Sequence, residues 1–166
     1  MVCKAYYESP LGTMVLAQRE RGLAGAWFAG QKYFPDLTEA EERETPVLCR
    51  TKLWLDRYFD GQRPEIGELP LVPEGSEFRR QVWQYLCRIP WGQTVTYGQI
   101  ARELASVRGV PSLSAQAVGG AVGHNPISVI IPCHRVVGAK GSLTGYAGGL
   151  ERKKFLLELE GAAYRL

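Results

Sequence analysis

The chain has 166 residues, of which 45% are hydrophobic and 22% are charged, and its formal net charge is +3. This apolar content is sufficient for one domain core or two small ones. No run approaches the roughly 20 consecutive apolar residues that cross a bilayer, and the N-terminal MVCKAYYESPLG lacks the apolar segment of a signal peptide. We therefore expect a soluble, cytoplasmic protein with no membrane association.

The four cysteines, Cys3, Cys49, Cys87 and Cys133, are widely separated and form no CxxC pair. In a reducing compartment this spacing predicts free thiols rather than a disulfide framework. A structural zinc site needs about four ligands at short paired spacings, and the first 120 residues contain no histidine. We therefore expect no bound metal.

Charge is distributed unevenly along the chain. Residues 1–75 carry 9 Lys and Arg against 12 Asp and Glu, a balance of −3, whereas residues 76–166 carry 11 against 5, a balance of +6. The difference is compatible with random scatter. The more specific interpretation is that the C-terminal half binds a polyanion.

The N-terminal part has the pattern of a small α/β domain. Residues 2–9, 12–19 and 23–30 predict three strands separated by turn residues. Apolar pairs that recur on one face predict a helix over residues 46–59.

A linker is predicted after this helix, and helices dominate the second half. Residues 61–75, GQRPEIGELPLVPEG, hold three prolines without an apolar period, so we expect a boundary near residue 75 and domains 1–75 and 76–166. Three helices follow: one with Ser76 as N-cap that Pro90 stops, one with a Thr96/Gln99 capping box, and a short one from Ser114.

The second and third of these helices, joined by the loop SVRGVPSL, suggest a helix-turn-helix. The third, SAQAVGGAVG, is almost without side chains, although glycine inside a helix costs roughly 1 kcal/mol relative to alanine. Close packing against a neighbouring element would explain this composition. So would a bulkier partner, such as a nucleic acid groove, that approaches the helix backbone.

Two further elements are predicted towards the C-terminus. NPISVII, residues 125–131, reads as a strand that ends at Pro132-Cys133. ERKKFLLELEG, residues 151–161, reads as a helix with Phe155, Leu156 and Leu159 facing inward.

Cys133 is followed directly by His134, and this pair is the candidate reactive centre. A lone cysteine after an apolar strand is usually a small core residue, but here an imidazole is adjacent and the following loop is rich in glycine, which keeps a pocket open. A free thiol supplies only a few per cent of thiolate at neutral pH, so a nearby base, oriented by a carboxylate, is expected to deprotonate it. Glu158 and Glu160 are both candidates for that carboxylate, and the residues alone do not choose between them.

The segments NPISVIIPCHRV, GYAGGLERKKFLL and ELEG occur together in the second half. In this combination they resemble the O6-alkylguanine-DNA alkyltransferase family, from about Ser76 to Gly161, with a weaker match over residues 1–75. The resemblance implies an α/β N-terminal domain with a small ribonuclease H-like sheet and a mainly α, winged-helix-like C-terminal domain with a helix-turn-helix. It also implies DNA repair by irreversible transfer of an alkyl group from O6 of guanine, and from O4 of thymine, to a cysteine of the protein.

Five catalytic residues are implied by the resemblance. Cys133 matches the family's alkyl acceptor, and His134 matches the histidine that acts on the thiol through a water. Glu160 matches its carboxylate partner, which resolves the choice left open above. Asn125 matches the asparagine that helps to hold the active-site turn. Tyr97 matches the tyrosine that faces the flipped nucleotide and assists protonation of guanine N3.

The implied partner is double-stranded DNA carrying O6-alkylguanine, bound through the minor groove by a monomer that extrudes the base. Tyr146 matches a residue of the guanine pocket, and Ala147 stands where some members have serine. Gln116 stands where the family places an arginine that fills the gap left by the base, and we hypothesise that Arg108, in the extended loop, supplies the missing cation. The other residues expected at substrate or DNA are Ala115, Gly119, Gly120, Arg135, Gly148 and Lys153. No cofactor is needed, because the thiol is the acceptor.

Three other functions compete with this interpretation. A non-enzymatic relative that recognises alkylated guanine would lack the cysteine, usually having tryptophan in its place. A cysteine hydrolase using Cys133, His134 and Glu160 would need an oxyanion hole, and none can be named from the sequence. A regulator whose alkylated form binds promoters would need a further metal-binding or activation domain, for which 166 residues leave no room.

Overall fold

A computed structural model describes all 166 residues. The chain forms two compact units: Met1–Glu74 with Pro126–Ile130, and Gly75–Asn125 with Ile131–Leu166. A single division at residue 75 assigns residues 126–130 to the second domain, whereas the contacts assign them to the first. No helix is both long enough and apolar enough to span a bilayer.

The N-terminal unit is built on a four-stranded sheet. Its strands are β1 (Val2–Ser9), β2 (Gly12–Arg19), β3 (Gly22–Phe28) and β4 (Glu41–Glu42), in the spatial order β3-β2-β1-β4. The first three strands pair antiparallel and follow the predicted segments to within two residues. The short β4 pairs parallel with β1 and lies in an acidic stretch without a strand pattern.

Helix α1 (Pro46–Phe59) packs on this sheet, over the predicted range. The side chain of Thr45 caps it by accepting a hydrogen bond from the Leu48 amide, and a proline at the start of the helix costs no hydrogen bond there. The buried face of α1 carries Leu48, Thr51, Trp54, Leu55 and Tyr58.

The predicted linker is in fact packed on the edge of β3. A 3-10 turn spans Ile66–Glu68. Beyond it, the Leu23 amide donates to the Pro70 carbonyl at 2.7 Å, and the Val72 amide donates to the Leu23 carbonyl at 2.9 Å. The proline-rich segment without a regular apolar pattern is therefore hydrogen-bonded to the edge of the sheet and is not a flexible linker.

The strand predicted over residues 125–131 is not formed. Only Ile127 makes a β-bridge, with Ala26 of β3, and this contact places the segment in the N-terminal unit. Val129 then turns the chain with φ of +73°, which is rare for a β-branched residue. The apolar run is buried in turns, and periodicity cannot distinguish that arrangement from a buried strand.

The C-terminal unit is mainly helical. Its elements are α2 (Glu77–Leu86), β5 (Val95–Thr96), α3 (Tyr97–Arg108), α4 (Ala115–Gly123), β6 (Val136–Val137) and α5 (Leu150–Leu159). Ser76, Thr96 and Ser114 cap α2, α3 and α4 as predicted, and Gln99 completes the capping box of α3.

Helix α4 packs against α2 and α3, and the indole nitrogen of Trp83 donates to the Ala121 carbonyl at 2.8 Å. The inward face of α5 differs from the prediction. Lys153, Leu156 and Leu157 are buried, whereas Phe155 is 37% exposed. Leu156 is buried as predicted, but Lys153 and Leu157 take the place of Phe155 on the inward face.

Candidate active site

Cys133 lies in a 3-10 turn, Cys133–Arg135, between the bend at Ile131 and strand β6. Its amide donates to the Ile131 carbonyl at 2.8 Å. Strand β6 pairs in parallel with β5, which leads directly into Tyr97. This two-stranded sheet therefore holds the first residue of α3 beside the cysteine turn.

His134 and Glu160 form a buried pair behind the cysteine. Nε2 of the imidazole lies 2.7 Å from Oε2 of the carboxylate, and neither side chain is exposed. Because the carboxylate only accepts hydrogen bonds, Nε2 carries the hydrogen and Nδ1 carries the lone pair. Glu158 points elsewhere: its Oε1 accepts a hydrogen bond from the Tyr164 hydroxyl at 2.6 Å.

Arg135 is also buried and binds the same carboxylate. Its Nε donates to Oε1 of Glu160 at 2.7 Å, its Nη2 donates to Oε2 at 3.1 Å, and its Nη1 donates to the Ile89 carbonyl at 2.6 Å. The expectation that Arg135 contacts DNA is corrected, because the guanidinium is enclosed and fully engaged within the chain.

The electrostatics of this pair keep the carboxylate ionised and the imidazole neutral. Burial alone raises the pKa of Glu160, but the hydrogen bond from His134 and the hydrogen bonds and charge of Arg135 outweigh it, and the net pKa is lowered. Burial lowers the pKa of His134, and the opposing effect of Glu160 does not restore it. The imidazole is therefore a neutral base that a fixed negative charge orients.

The thiol of Cys133 is 5% exposed. Burial raises its pKa, against hydrogen bonds from Asn125 and Tyr146 and the charge of Lys153, which lower it. The thiol is protonated, and the surrounding donors and cation favour the anion once a base removes the proton.

Asn125 holds the turn that precedes the cysteine. Its Nδ2 donates to the Ile131 carbonyl at 2.8 Å, and only 4% of the residue is exposed. The same side chain is a hydrogen-bond donor towards Cys133. One amide therefore fixes the backbone and the sulfur together.

Lys153 is completely buried in α5, with its ammonium against the backbone of the glycine-rich loop. Nζ donates to the carbonyls of Val136, Thr144 and Gly145. Burial lowers the pKa of Lys153 to about 8, and the charge of Cys133 opposes this shift. The expected DNA contact by Lys153 is thus corrected: it fastens the loop to the cysteine turn.

Tyr97 stands between this loop and helix α4. A β-carbon on Gly119 would lie 3.8 Å from its ring, and one on Gly145 would lie 3.6 Å from its hydroxyl. Burial raises the pKa of Tyr97, the charge of Cys133 adds to the rise, and a hydrogen bond with Thr144 opposes it. The phenol is therefore a neutral donor at the same centre.

The outer face of α4 is exposed and nearly without side chains. Gln116, Gly120 and Gly123 follow at i, i+4 and i+7, so they share one face. A β-carbon on Gly120 or Gly123 would meet nothing within 4 Å. Packing inside the chain therefore does not require these glycines, and the second explanation, a partner that approaches the backbone, is favoured.

Arg108 does not lie in the loop between α3 and α4 but is the last residue of α3. Its Nη1 donates to Oε1 of Gln81 at 2.6 Å, and its guanidinium lies 5.5 Å from the centroid of the Phe78 ring. The hypothesis that Arg108 replaces the missing arginine therefore loses its structural basis, since its side chain is held on α2.

The predicted residues thus divide into two groups. The first surrounds the cysteine: His134, Asn125, Tyr97, Tyr146, Glu160 and, unexpectedly, Arg135 and Lys153. The second, Ala115, Gln116 and Gly120, lies exposed on α4. Ala147 is half-buried and Gly148 buried in the glycine-rich loop. No group of three or more His, Cys, Asp or Glu side chains is placed to hold a metal ion.

The carboxylate of Glu160 has one further partner that the sequence did not indicate. Its Oε1 accepts a hydrogen bond from the Gly92 amide at 3.3 Å. The enclosed role of Lys153 had a local signal, because Leu156 and Leu157 follow it at i+3 and i+4 and place it on the apolar face of α5.

Family models match nearly the whole chain. The ribonuclease-like domain of 6-O-methylguanine DNA methyltransferase matches residues 2–73, and the DNA binding domain of the same family matches residues 77–162. The chain belongs to the 6-O-methylguanine DNA methyltransferase family. The resemblance inferred from the sequence motifs is thereby confirmed, together with the architecture of an N-terminal sheet domain and a helical C-terminal domain.

Relatives and solved structures agree with this assignment. The methylated-DNA–protein-cysteine methyltransferase of Haemophilus influenzae is 40% identical over 159 residues, 96% of this chain and 86% of its own. That of Mycolicibacterium paratuberculosis is 44% identical over 153 residues, 92% and 88% of the two chains. The structure of Mycobacterium tuberculosis OGT in complex with DNA matches with a TM-score of 0.84 and 40% identity, covering 95% of this chain and 92% of that one.

Proposed function

We propose that this family member repairs alkylated DNA by transferring the alkyl group from O6 of guanine to Sγ of Cys133, as a methylated-DNA–protein-cysteine S-methyltransferase. The observation that carries the proposal is the buried set of Cys133, His134 and Glu160 within a DNA binding domain of this family. O4-alkylthymine is a second substrate in the same proposal. The protein acts as a monomer in the cytoplasm.

The first step is removal of the thiol proton. His134 accepts it through a water, and the imidazolium that forms is stabilised by Glu160 at 2.7 Å. Asn125, Tyr146 and the charge of Lys153 stabilise the thiolate. Burial raises the pKa of the resting thiol, so the base must remove the proton before the thiol reacts.

The second step is a direct displacement at the alkyl carbon. The thiolate is a soft nucleophile, so it forms an S–C bond while the C–O6 bond breaks and its electron pair passes to the guanine ring. Tyr97 donates a proton to N3 of the leaving base, and the proton held by His134 restores the phenol through solvent. The net change is that a thiol and O6-alkylguanine become a thioether and guanine. Nothing regenerates the thiol, so each molecule reacts once.

DNA is bound in this proposal by a winged-helix-like arrangement in which α4 enters the minor groove. The face that carries Gln116, Gly120 and Gly123 has few side chains, so the sugar-phosphate backbone can approach the helix closely. A stacked base cannot reach Cys133, so it is extruded, at a cost of a few kcal/mol. Gln116 enters the vacated space and hydrogen-bonds the orphaned base without adding charge.

The test is incubation with a duplex carrying a single O6-methylguanine, followed by intact mass measurement. One CH2 per protein molecule, mapped to the peptide containing Cys133, is the expected result, with no further reaction when substrate is added. Cys133→Ala should gain no mass, whereas Cys87→Ala, which alters another thiol of the C-terminal unit, should gain it normally. Repeated turnover, or alkylation at a different cysteine, would refute the proposal.

A further inference from the structure

A groove with one charged wall lies between α3 and the loop that leads to α4. Its volume is about 410 Å³, and it is lined by Gly98, Arg102, Ser106, Ser112, Leu113 and Ala115 among others. Arg102 is the only charged residue of the lining. The groove ends at Ala115, the first residue of α4, next to exposed Gln116.

Arg102 is an exposed cation without a partner in the protein. Its side chain folds back along α3, so that Nη1 lies 3.3 Å from the position that a β-carbon on Gly98 would occupy. The absence of a side chain at Gly98 therefore leaves room for the guanidinium in the groove. The neighbouring Glu103 does not neutralise it, because that carboxylate is hydrogen-bonded to Tyr85 on α2.

This arrangement contrasts with Arg108, which is bound to Gln81 and lies over the Phe78 ring on the α2 side. Of the two arginines of α3, only Arg102 lines the groove that reaches α4. The C-terminal half also carries a charge balance of +6. Arg102 therefore offers an unpaired cation in the groove that reaches the start of α4.

We propose that Arg102 binds a phosphate of the DNA backbone in the groove between α3 and the α3–α4 loop, and so supplies the charge that Gln116 lacks. The proposal rests on the function proposed above. Guanidinium binds phosphate through paired N–H donors, and the Ser106 and Ser112 hydroxyls add neutral donors to the same groove. The contact positions the duplex and carries no sequence preference.

The experiment compares duplex binding by Arg102→Gln with that of the wild-type protein over a salt series, using a duplex with one O6-methylguanine. Loss of one phosphate contact should weaken binding about fivefold at low salt and reduce the slope of log K against log salt by about 0.9. Arg102→Lys should keep most of the slope.

Two variants serve as comparisons. Arg80→Gln removes the same charge from an exposed site on α2 and should change the slope little, and Arg108→Gln tests the alternative cation. If Arg102→Gln binds with unchanged affinity and slope while the wild-type protein still transfers its methyl group, the groove has another occupant and only this inference fails. If the wild-type protein transfers no methyl group, the proposed function itself fails.

Discussion

Oε2 of Glu160 lies 2.7 Å from Nε2 of His134, and both side chains are fully buried. The same carboxylate binds the guanidinium of Arg135 through both oxygens. One buried negative charge therefore orients the base and neutralises a buried cation. In the proposed reaction, catalysis and stability therefore depend on the same carboxylate.

Glu160→Gln should therefore impair both properties. Arg135 would be left as a buried cation without its counter-ion, which costs about 3 to 5 kcal/mol in comparable pairs. The imidazolium would also lose its stabilising charge, so the single-turnover rate of methyl transfer should fall about 100-fold or more. Urea unfolding and rapid-quench transfer assays on the folded fraction measure the two effects.

The matched control is Glu158→Gln, two residues earlier on the same helix. Glu158 is exposed and its carboxylate accepts only from the Tyr164 hydroxyl. Transfer by this variant should stay within about twofold of the wild-type rate, as for other surface substitutions. If both glutamate variants lose the same amount of transfer activity, Glu160 is not the carboxylate that acts on His134.

A second prediction concerns Lys153, whose buried ammonium donates to the carbonyl of Val136 in β6 and to two loop carbonyls, those of Thr144 and Gly145. Lys153→Met fills the space but removes the donors, and the loss should be about 3 kcal/mol of unfolding free energy. The charge of Lys153 also lowers the pKa of Cys133. Its removal should shift the pH profile of Cys133 alkylation by iodoacetamide towards higher pH.

Lys154→Met provides the comparison at the adjacent position. Lys154 is half-buried, and no hydrogen bond or ion pair involves it. Lys154→Met should leave the pH profile of Cys133 alkylation the same as that of the wild-type protein. If the pH profile shifts equally in both variants, the cause is the change in overall charge and not the loss of the buried Lys153 ammonium.

Local signals determined how much of this structure could be predicted. Ser76, Thr96 and Ser114 each cap a helix through contacts within a few residues, and the helices they begin were predicted correctly. The proposed catalytic residues came from motifs of the family, and the structure brings Glu160, not Glu158, to His134. Both kinds of signal are contained in short stretches of sequence.

The failures concern residues whose environment is set by distant parts of the chain. Ile127 pairs with Ala26, about 100 positions away, and this single bridge decides that the following apolar run turns instead of extending. Arg135 and Lys153 were expected at substrate or DNA, but both are buried. Glu160 lies 25 positions from Arg135, and the carbonyls of Val136, Thr144 and Gly145 lie 8 to 17 positions from Lys153, so these partners become neighbours only in the folded chain.

Stability should fall as the pH is lowered from about 7 to 5, because of His134. Its folded-state pKa lies below the ordinary value of 6.5, since burial disfavours the charged form. Below that value the unfolded chain binds a proton that the folded chain does not, so the unfolding free energy decreases by at most about 1.4 kcal/mol per pH unit. Glu160 has a lowered folded-state pKa, so it reduces the unfolding free energy only when the pH falls below the ordinary carboxyl pKa of 4.5.

Urea unfolding between pH 7 and 5 measures this dependence, and the chain has only two histidines. His134→Gln should remove the dependence, although its stability at pH 7 will be lower. His124→Gln, at the exposed end of α4, should retain it. A dependence that disappears in the His124 variant instead would overturn the assignment.

The glycines of α4 give a prediction in which stability and binding move in opposite directions. Gly120 has ordinary helical backbone, and a β-carbon there would meet nothing within 4 Å, so Gly120→Ala should stabilise the protein by about 0.5 to 1 kcal/mol. The added methyl group projects from the face proposed to enter the minor groove. Crowding at such a contact should weaken duplex binding about tenfold.

Thermal unfolding measures the expected gain in stability, and duplex titration measures the expected loss of affinity. Gly67→Ala is the control, because its β-carbon would also meet open space but lies in the N-terminal unit, outside the DNA binding domain. That variant should bind duplex with wild-type affinity. If Gly120→Ala stabilises α4 and duplex affinity is unchanged, this face does not approach DNA closely, and the near absence of side chains on α4 requires another cause.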